Sequence, residues 1–308
     1  MKQPHKEAGY NKTRLIINTY MMKGQRVMKI VECPRDAMQG WAHQVPTDLK
    51  ARYINALLKV GFHTIDFGSF VSPKAIPQMA DTREVLSRLD LSGTTSRLLA
   101  IIANKRGAED AVAFDEIQYL GFPFSISETF QQRNTNASIL DSFQTVRDIQ
   151  RLCASRSKEL VIYISMGFGN PYGDPYNEDI VFDWAQKLTA EGVRIISLAD
   201  TVGLSMPDQI RRVTGHLVES MPGIEIGVHL HSSPANRDAK LQAALDAGCN
   251  RFDGAIKGIG GCPMAGDQLV GNIDTEGLLQ FLEDRHFPVT WDKGALAECI
   301  ELASEVFV

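Results

Sequence analysis

The feature that most constrains this chain is a rhythm. From Lys29 onward, short apolar runs alternate eight times with segments of helical periodicity. The candidate strands are 29–32, 63–67, 98–103, 116–120, 159–165, 194–199, 225–229 and 251–255. Several are β-branched or nearly continuous in apolar character, as strands covered on both faces must be. Helical patterns occupy 47–60, 81–89, 107–114, 138–154, 177–191, 206–220, 236–247 and 275–283, with a last one over 293–307. In the first, Leu49, Tyr53, Ala56, Leu57 and Val60 form one stripe that stops at Gly61.

Strand-then-helix repetition without a low-complexity linker predicts one parallel α/β domain. A closed (β/α)8 barrel, the TIM barrel, fits the count of eight. A doubly wound open sheet is the runner-up, and the missing glycine-rich dinucleotide fingerprint after the first strand weighs against it. The expected organisation is a catalytic barrel over 29–308, preceded by a polar, basic and disordered extension over 1–28.

Composition narrows the function classes. Lys and Arg number 32 against 37 Asp and Glu, a net charge of −5, so no general nucleic-acid surface is expected. No apolar run approaches the roughly 20 residues of a membrane span, and no secretory h-region opens the chain. Cys33, Cys153, Cys249, Cys262 and Cys299 are scattered and odd in number. That pattern suits neither a disulfide framework nor a zinc ribbon, and predicts a reducing, cytoplasmic setting.

A barrel concentrates its chemistry where strands end and the following loops begin. Cys33-Pro-Arg35-Asp36 follows the first candidate strand, Asp66-Phe-Gly-Ser69 closes the second, Asp200-Thr201 the sixth and Gly258-Ile-Gly-Gly-Cys262-Pro the eighth. The opposite ends carry plain turns such as Val60-Gly-Phe and Ala247-Gly-Cys249. His229 and His231 sit two apart at the end of the seventh strand, so both imidazoles face one side. Such a pair suits one divalent cation, and Asp36 is a candidate hard-oxygen partner. The plainer reading makes them half-exposed loop histidines, with Asp36 an N-cap or a partner of Arg35. Arg35 could stabilise an oxyanion, or serve as a structural ion pair with Asp66 or Asp200. Cys262 could move a proton from a flexible loop, or be an incidental turn cysteine. Asn272 could offer a neutral amide oxygen, or simply close a turn.

Taken together, Pro34-Arg-Asp36…Gln39, the segment from Ser69 to Met79, Asp200-Thr201, His229-x-His231 and Gly258-x-Gly-Gly-Cys-Pro263…Gly271-Asn272 resemble the 3-hydroxy-3-methylglutaryl-CoA lyase family of metal-dependent barrel lyases and Claisen synthases. The cysteine loop is the most specific part, since the related synthases share Arg-Asp and His-x-His without it. The resemblance implies a divalent cation, Mg2+ or Mn2+, on Asp36, His229, His231 and Asn272. It implies that Arg35 stabilises the enolate of acetyl-CoA, Cys262 handles a proton, Asp200 lies near the reacting hydroxyl and Asp66 stands where the family commonly has Glu. It also implies an acyl-CoA substrate, retro-Claisen cleavage and a homodimer. Three departures stand out: the shorter Asp66, a loop after Cys262 about one residue longer than in familiar members, and no basic residue in Gly40-Trp-Ala-His43. A Claisen-type synthase and a non-catalytic binding barrel are the competing readings. The first often carries a C-terminal regulatory region, for which this chain, ending soon after its last helical pattern, is expected to leave no room.

Overall fold

The computed structural model describes residues 27–261 and 270–308. Eight parallel strands close into a barrel in sequence order: β1 (Lys29–Glu32), β2 (Thr64–Ser69), β3 (Arg97–Ile101), β4 (Ile117–Ser125), β5 (Glu159–Ser165), β6 (Ile195–Ala199), β7 (Glu225–His229) and β8 (Arg251–Gly254). Closure is made by β1 on β8, with Lys29 opposite Arg251 and Glu32 opposite Gly254. The open-sheet alternative is thereby excluded.

Among the described residues the helices are α1 (Pro34–Gln39), α2 (Thr47–Val60), α3 (Thr82–Leu86), α4 (Lys105–Ala111), α5 (Glu128–Thr135), α6 (Ile139–Ser155), α7 (Glu178–Ala190), α8 (Pro207–Ser220), α9 (Arg237–Asp246), α10 (Thr275–Asp284) and α11 (Lys293–Val306). Their starts follow local chemistry. Ser127, Ser138, Asn177, Asp274 and Asp292 each accept a backbone N–H from the first turn of their helix, and Pro34 and Pro207 occupy first positions where a missing N–H costs nothing. None of the described helices is long and apolar enough to cross a membrane.

Two helices depart from the sequence expectation. Residues 34–39 read as a loop, yet form α1, only six residues long and mostly buried. Residues 128–135 carried no clear apolar stripe, yet form α5. The strand expected over 116–120 also runs on to Ser125. Gly121 and Pro123 look like turn residues, but Gly121 makes room within the sheet for its neighbours: a Cβ there would lie 2.5 Å from Ile101 Cδ1 and 3.1 Å from Tyr163, so the Ile101 side chain would have to move.

Apolar packing is divided by the barrel wall. A large outer cluster joins strands to helices, whereas Leu99, Ile101, Tyr119, Val161, Tyr163 and Ile195 fill part of the interior. The part near β7 and β8 is polar. At its lower end Glu225 bonds Lys29 and Arg251, and Arg251 is fully buried and stacked over Tyr119 at 5.7 Å. Met28 is buried against the outer cluster, while the expected N-terminal extension falls, for residues 1–26, outside the described residues.

Candidate active site

The site is assembled from the C-terminal ends of β2 and β7 and from the segments that follow β1, β7 and β8, beside a cavity of about 420 Å3 at the C-terminal mouth. Helix α1 starts one residue beyond β1, and that sharp entry points Arg35 and Asp36 into the cavity. β2 shifts register between Asp66 and Gly68 against β3, an irregularity of the kind that re-aims a strand's side chains. Asp66 meets Arg35 in a fork: Nε donates to Oδ2 at 3.0 Å and Nη2 to the same oxygen at 2.5 Å, with Oδ1 3.2 Å from Nε. Arg35 Nη1 donates to Asp36 Oδ1 at 3.1 Å and to Gln39 Oε1 at 2.8 Å. Of the two ion pairs open to Arg35 from sequence, the structure contains the one with Asp66.

Asp36 is surrounded by donors. Gln39 Nε2 reaches Oδ1 at 2.9 Å and Asn272 Nδ2 reaches Oδ2 at 2.8 Å. Burial alone would raise its carboxyl, but the charges of Arg35 and His229 and the Asn272 bond outweigh burial and hold it below the usual range. Asp66 behaves oppositely: its burial exceeds the pull of Arg35 and pushes the carboxyl up to about 6.

His229 and His231 both line the cavity, with ring centroids 5.4 Å apart. His229 Nδ1 lies 3.2 Å from Asp253 Oδ2 on β8, and although burial opposes protonation, Asp253 raises the imidazole above its ordinary value. Burial and the neighbouring His229 lower His231 to about 4, so its ring is neutral at physiological pH. The backbone of His231 is fixed by Lys240 Nζ, which donates to its carbonyl at 2.7 Å, and by a bridge to Asn272. Gly260 approaches so closely that a Cβ would sit 2.7 Å from Asn272 Nδ2 and 2.9 Å from Ala37 Cα, and its φ of +101° also favours glycine. Thus the glycine-rich loop is tight at its base, where it locks Asn272 beside Asp36.

The other sequence candidates are placed differently. Asp200 does not line the cavity: Lys240 Nζ donates to it at 2.8 Å, and Ser205 donates both its N–H (2.9 Å) and its hydroxyl (2.5 Å). Its geometry is that of a support beneath His231. Cys262 lies outside the described residues. Sequence reasoning passed over Asp253, a lone acid on the inward register of β8, and Arg133, Asn134 and Thr135 of α5, which line one side of the cavity. The signal for Asp253 was present, since a buried strand position facing a histidine needs a reason to be acidic. No such signal existed for α5.

A closed (β/α)8 barrel whose C-terminal mouth joins a fixed guanidinium to carboxylates and paired imidazoles defines a barrel enzyme with a candidate cation site. Comparison with known proteins narrows this class. The chain belongs to the HMGL-like family, whose model matches residues 28–303. It is 33% identical over 283 residues to mouse (Mus musculus) mitochondrial hydroxymethylglutaryl-CoA lyase, covering 91% of this chain and 85% of that protein. It is also 33% identical over 258 residues to the human (Homo sapiens) cytoplasmic 3-hydroxy-3-methylglutaryl-CoA lyase, covering 83% and 68%. Among solved structures, an HMG-CoA lyase from Acenitobacter baumannii, in complex with coenzyme A and 3-methylmalate, superposes with a TM-score of 0.85 at 31% identity over 91% of each chain. The carboxyl transferase domain of Rhizobium etli pyruvate carboxylase shares the fold alone, at 16% identity and a TM-score of 0.68.

Proposed function

We propose that this protein is a carbon–carbon lyase that cleaves 3-hydroxy-3-methylglutaryl-CoA to acetyl-CoA and acetoacetate, using a divalent cation, Mg2+ or Mn2+. The observation that carries the reading is the joint presentation of Arg35, Asp36, His229 and His231 to one cavity, in a chain of this family. Asp36, His229, His231 and Asn272 would hold the cation. Their chemistry fits: His231 is neutral, Asp36 is charged, and Asn272 Oδ1 is buried with no hydrogen-bond partner among the described residues. Bound there, a divalent ion would acidify the substrate hydroxyl and offset the charge of its carboxylate.

The chain's own groups supply the rest. A base takes the hydroxyl proton, the carbonyl of acetoacetate forms, and the electron pair of the broken C–C bond passes to the thioester enolate. Asp36 is a poor base, because against its burial the charges of Arg35 and His229 and the Asn272 bond hold its carboxyl low. Asp66, raised to about 6 and facing the cavity, is better matched to that task. Arg35, kept in one orientation by Asp66, offsets the enolate charge as it develops. Protonation of the enolate carbon yields acetyl-CoA, and the sequence resemblance assigns that proton to Cys262. The described cysteines, Cys33, Cys153, Cys249 and Cys299, are all free and buried, which supports a reducing, cytoplasmic location.

The test is direct. Purified protein incubated with 3-hydroxy-3-methylglutaryl-CoA, Mg2+ or Mn2+ and a thiol reductant should release acetoacetate, and chelation should stop the release. Folded protein that yields none with either ion overturns the reading.

A further inference from the structure

His229 has two ring nitrogens, and one of them does not belong to the cavity. Its Nδ1 faces Asp253, whose side chain is fully buried and does not line the cavity. On the same side lies Cys33, buried at the end of β1. A ring nitrogen of His229, Cys33 Sγ and an Asp253 oxygen all lie within 4.8 Å of one another. The second oxygen of Asp253, Oδ1, is buried without a hydrogen-bond partner among the described residues, and the Cys33 thiol makes a long 3.7 Å contact to Val31 O.

We propose that Cys33, His229 and Asp253 form a second cation site, selective for a thiophilic divalent ion such as Zn2+, and that an ion bound there excludes one from the cavity site. Sulfur, imidazole and carboxylate are the donors from which tetrahedral zinc sites are built, whereas a thiolate is a poor ligand for Mg2+. The spacing agrees. Two donors 3.2 Å apart, each about 2.0–2.2 Å from an ion, subtend about 100° at it, close to a tetrahedral angle. Tetrahedral zinc with these bond lengths needs donors roughly 3.5 Å apart, so the sulfur must move by about 1.3 Å at most. Cys33 and His229 both line the cavity, which gives the ion a way in.

Exclusion follows from the imidazole itself. With Nδ1–H donated to Asp253, the Nε2 lone pair is free to serve the cavity. An ion on Nδ1 moves that proton to Nε2, and His229 then has no lone pair left for a cavity ion. The thiol proton of Cys33 leaves to solvent, as binding to a thiolate requires. A thiophilic ion would therefore inhibit by removing one ligand from the cavity set. The exclusion rests on the cavity reading given above; the binding does not.

Co2+ is the probe, because thiolate coordination gives it a charge-transfer absorption in the near ultraviolet. The full chain, freed of metal by chelation, should develop this band on titration with Co2+. Cys262→Ser and Asp36→Asn should keep the band, Cys33→Ser and Cys33→Ala should lose it, and Asp253→Asn should weaken Co2+ binding at least tenfold. Circular dichroism confirms that each variant is folded. With 3-hydroxy-3-methylglutaryl-CoA as substrate and Mg2+ present, Zn2+ should inhibit the wild-type chain at concentrations at least tenfold lower than it inhibits Cys33→Ser. A wild-type chain without the band, or a band that survives in Cys33→Ser and vanishes in Cys262→Ser, overturns the proposal. A protein inactive on this substrate that still shows the Cys33-dependent band would overturn the substrate reading instead.

Discussion

Arg35 shows how much of the site depends on the shape of a charge as well as its sign. Its fork meets Asp66 through Nε and Nη2 while Nη1 reaches Asp36 and Gln39, so one planar group fixes two carboxylates, one on β2 and one on α1. Lysine carries the same charge on a single nitrogen and cannot span that arrangement. Arg35→Lys should lower kcat by about a hundredfold or more, the usual cost of removing an aimed oxyanion donor. KM should change less, because the interaction grows as the enolate forms. Steady-state kinetics on the folded variant decide it, and a kcat near wild type would remove Arg35 from the chemistry. This residue was legible in the sequence because a short strand ran straight into it. Which acid it meets was not legible: Asp66 and Asp200 were equal choices until the structure showed Asp200 occupied by Lys240, forty positions further on. Asp253 was passed over because a lone acid on β8 gains its meaning only from its partner, and the pairing of β7 with β8 that sets it 3.2 Å from His229 is a tertiary contact.

At the scale of elements, local pattern revealed the long helices and failed on the short ones. α2 and α6 carry apolar stripes and clear boundaries; α1 and α5 are held by what they pack against and by their first turns. The connection between β1 and the segment after β8 depends on a buried acid, Glu32. Its Oε1 accepts from Ile256 N at 3.0 Å, and its Oε2 lies 2.5 Å from Thr275 Oγ1 at the start of α10. Burial raises its carboxyl to about 8 despite these bonds. A group raised on folding contributes most below its unfolded value, near 4.5, and the contribution is lost as pH rises through 8. The wild-type chain should therefore lose thermal stability between about pH 5 and 8. Glu32→Gln keeps an oxygen for Ile256 and cannot ionise, so its Tm should fall less over that interval. Parallel Tm curves for the two proteins across this range would show that Glu32 does not titrate there.

The whole molecule divides stability from chemistry along the barrel axis, as barrels of this type do. Reactive groups gather at the C-terminal mouth, while the other end is plugged by Arg251, seated in space left by Gly227, where a Cβ would lie 2.9 Å from Arg251 Cδ. Arg251 is fully buried, and its Nε and Nη2 have no hydrogen-bond partner among the described residues, so part of its desolvation is uncompensated. Two substitutions separate its volume from its charge. Arg251→Ala removes the packing beside Gly227 and the stacking on Tyr119, and should destabilise the fold by about 2–4 kcal/mol. Arg251→Met refills most of the space without the charge. Glu225 keeps Lys29 as a partner, so this variant should be as stable as wild type or more so. Urea unfolding midpoints measure both. In folded protein both variants should leave kcat nearly unchanged, because the plug lies at the opposite end of the barrel from Arg35 and His231. If Arg251→Met is instead as damaging as Arg251→Ala, the guanidinium contributes more through its charge than through its bulk, and the lower end of the barrel is held by its ion pairs.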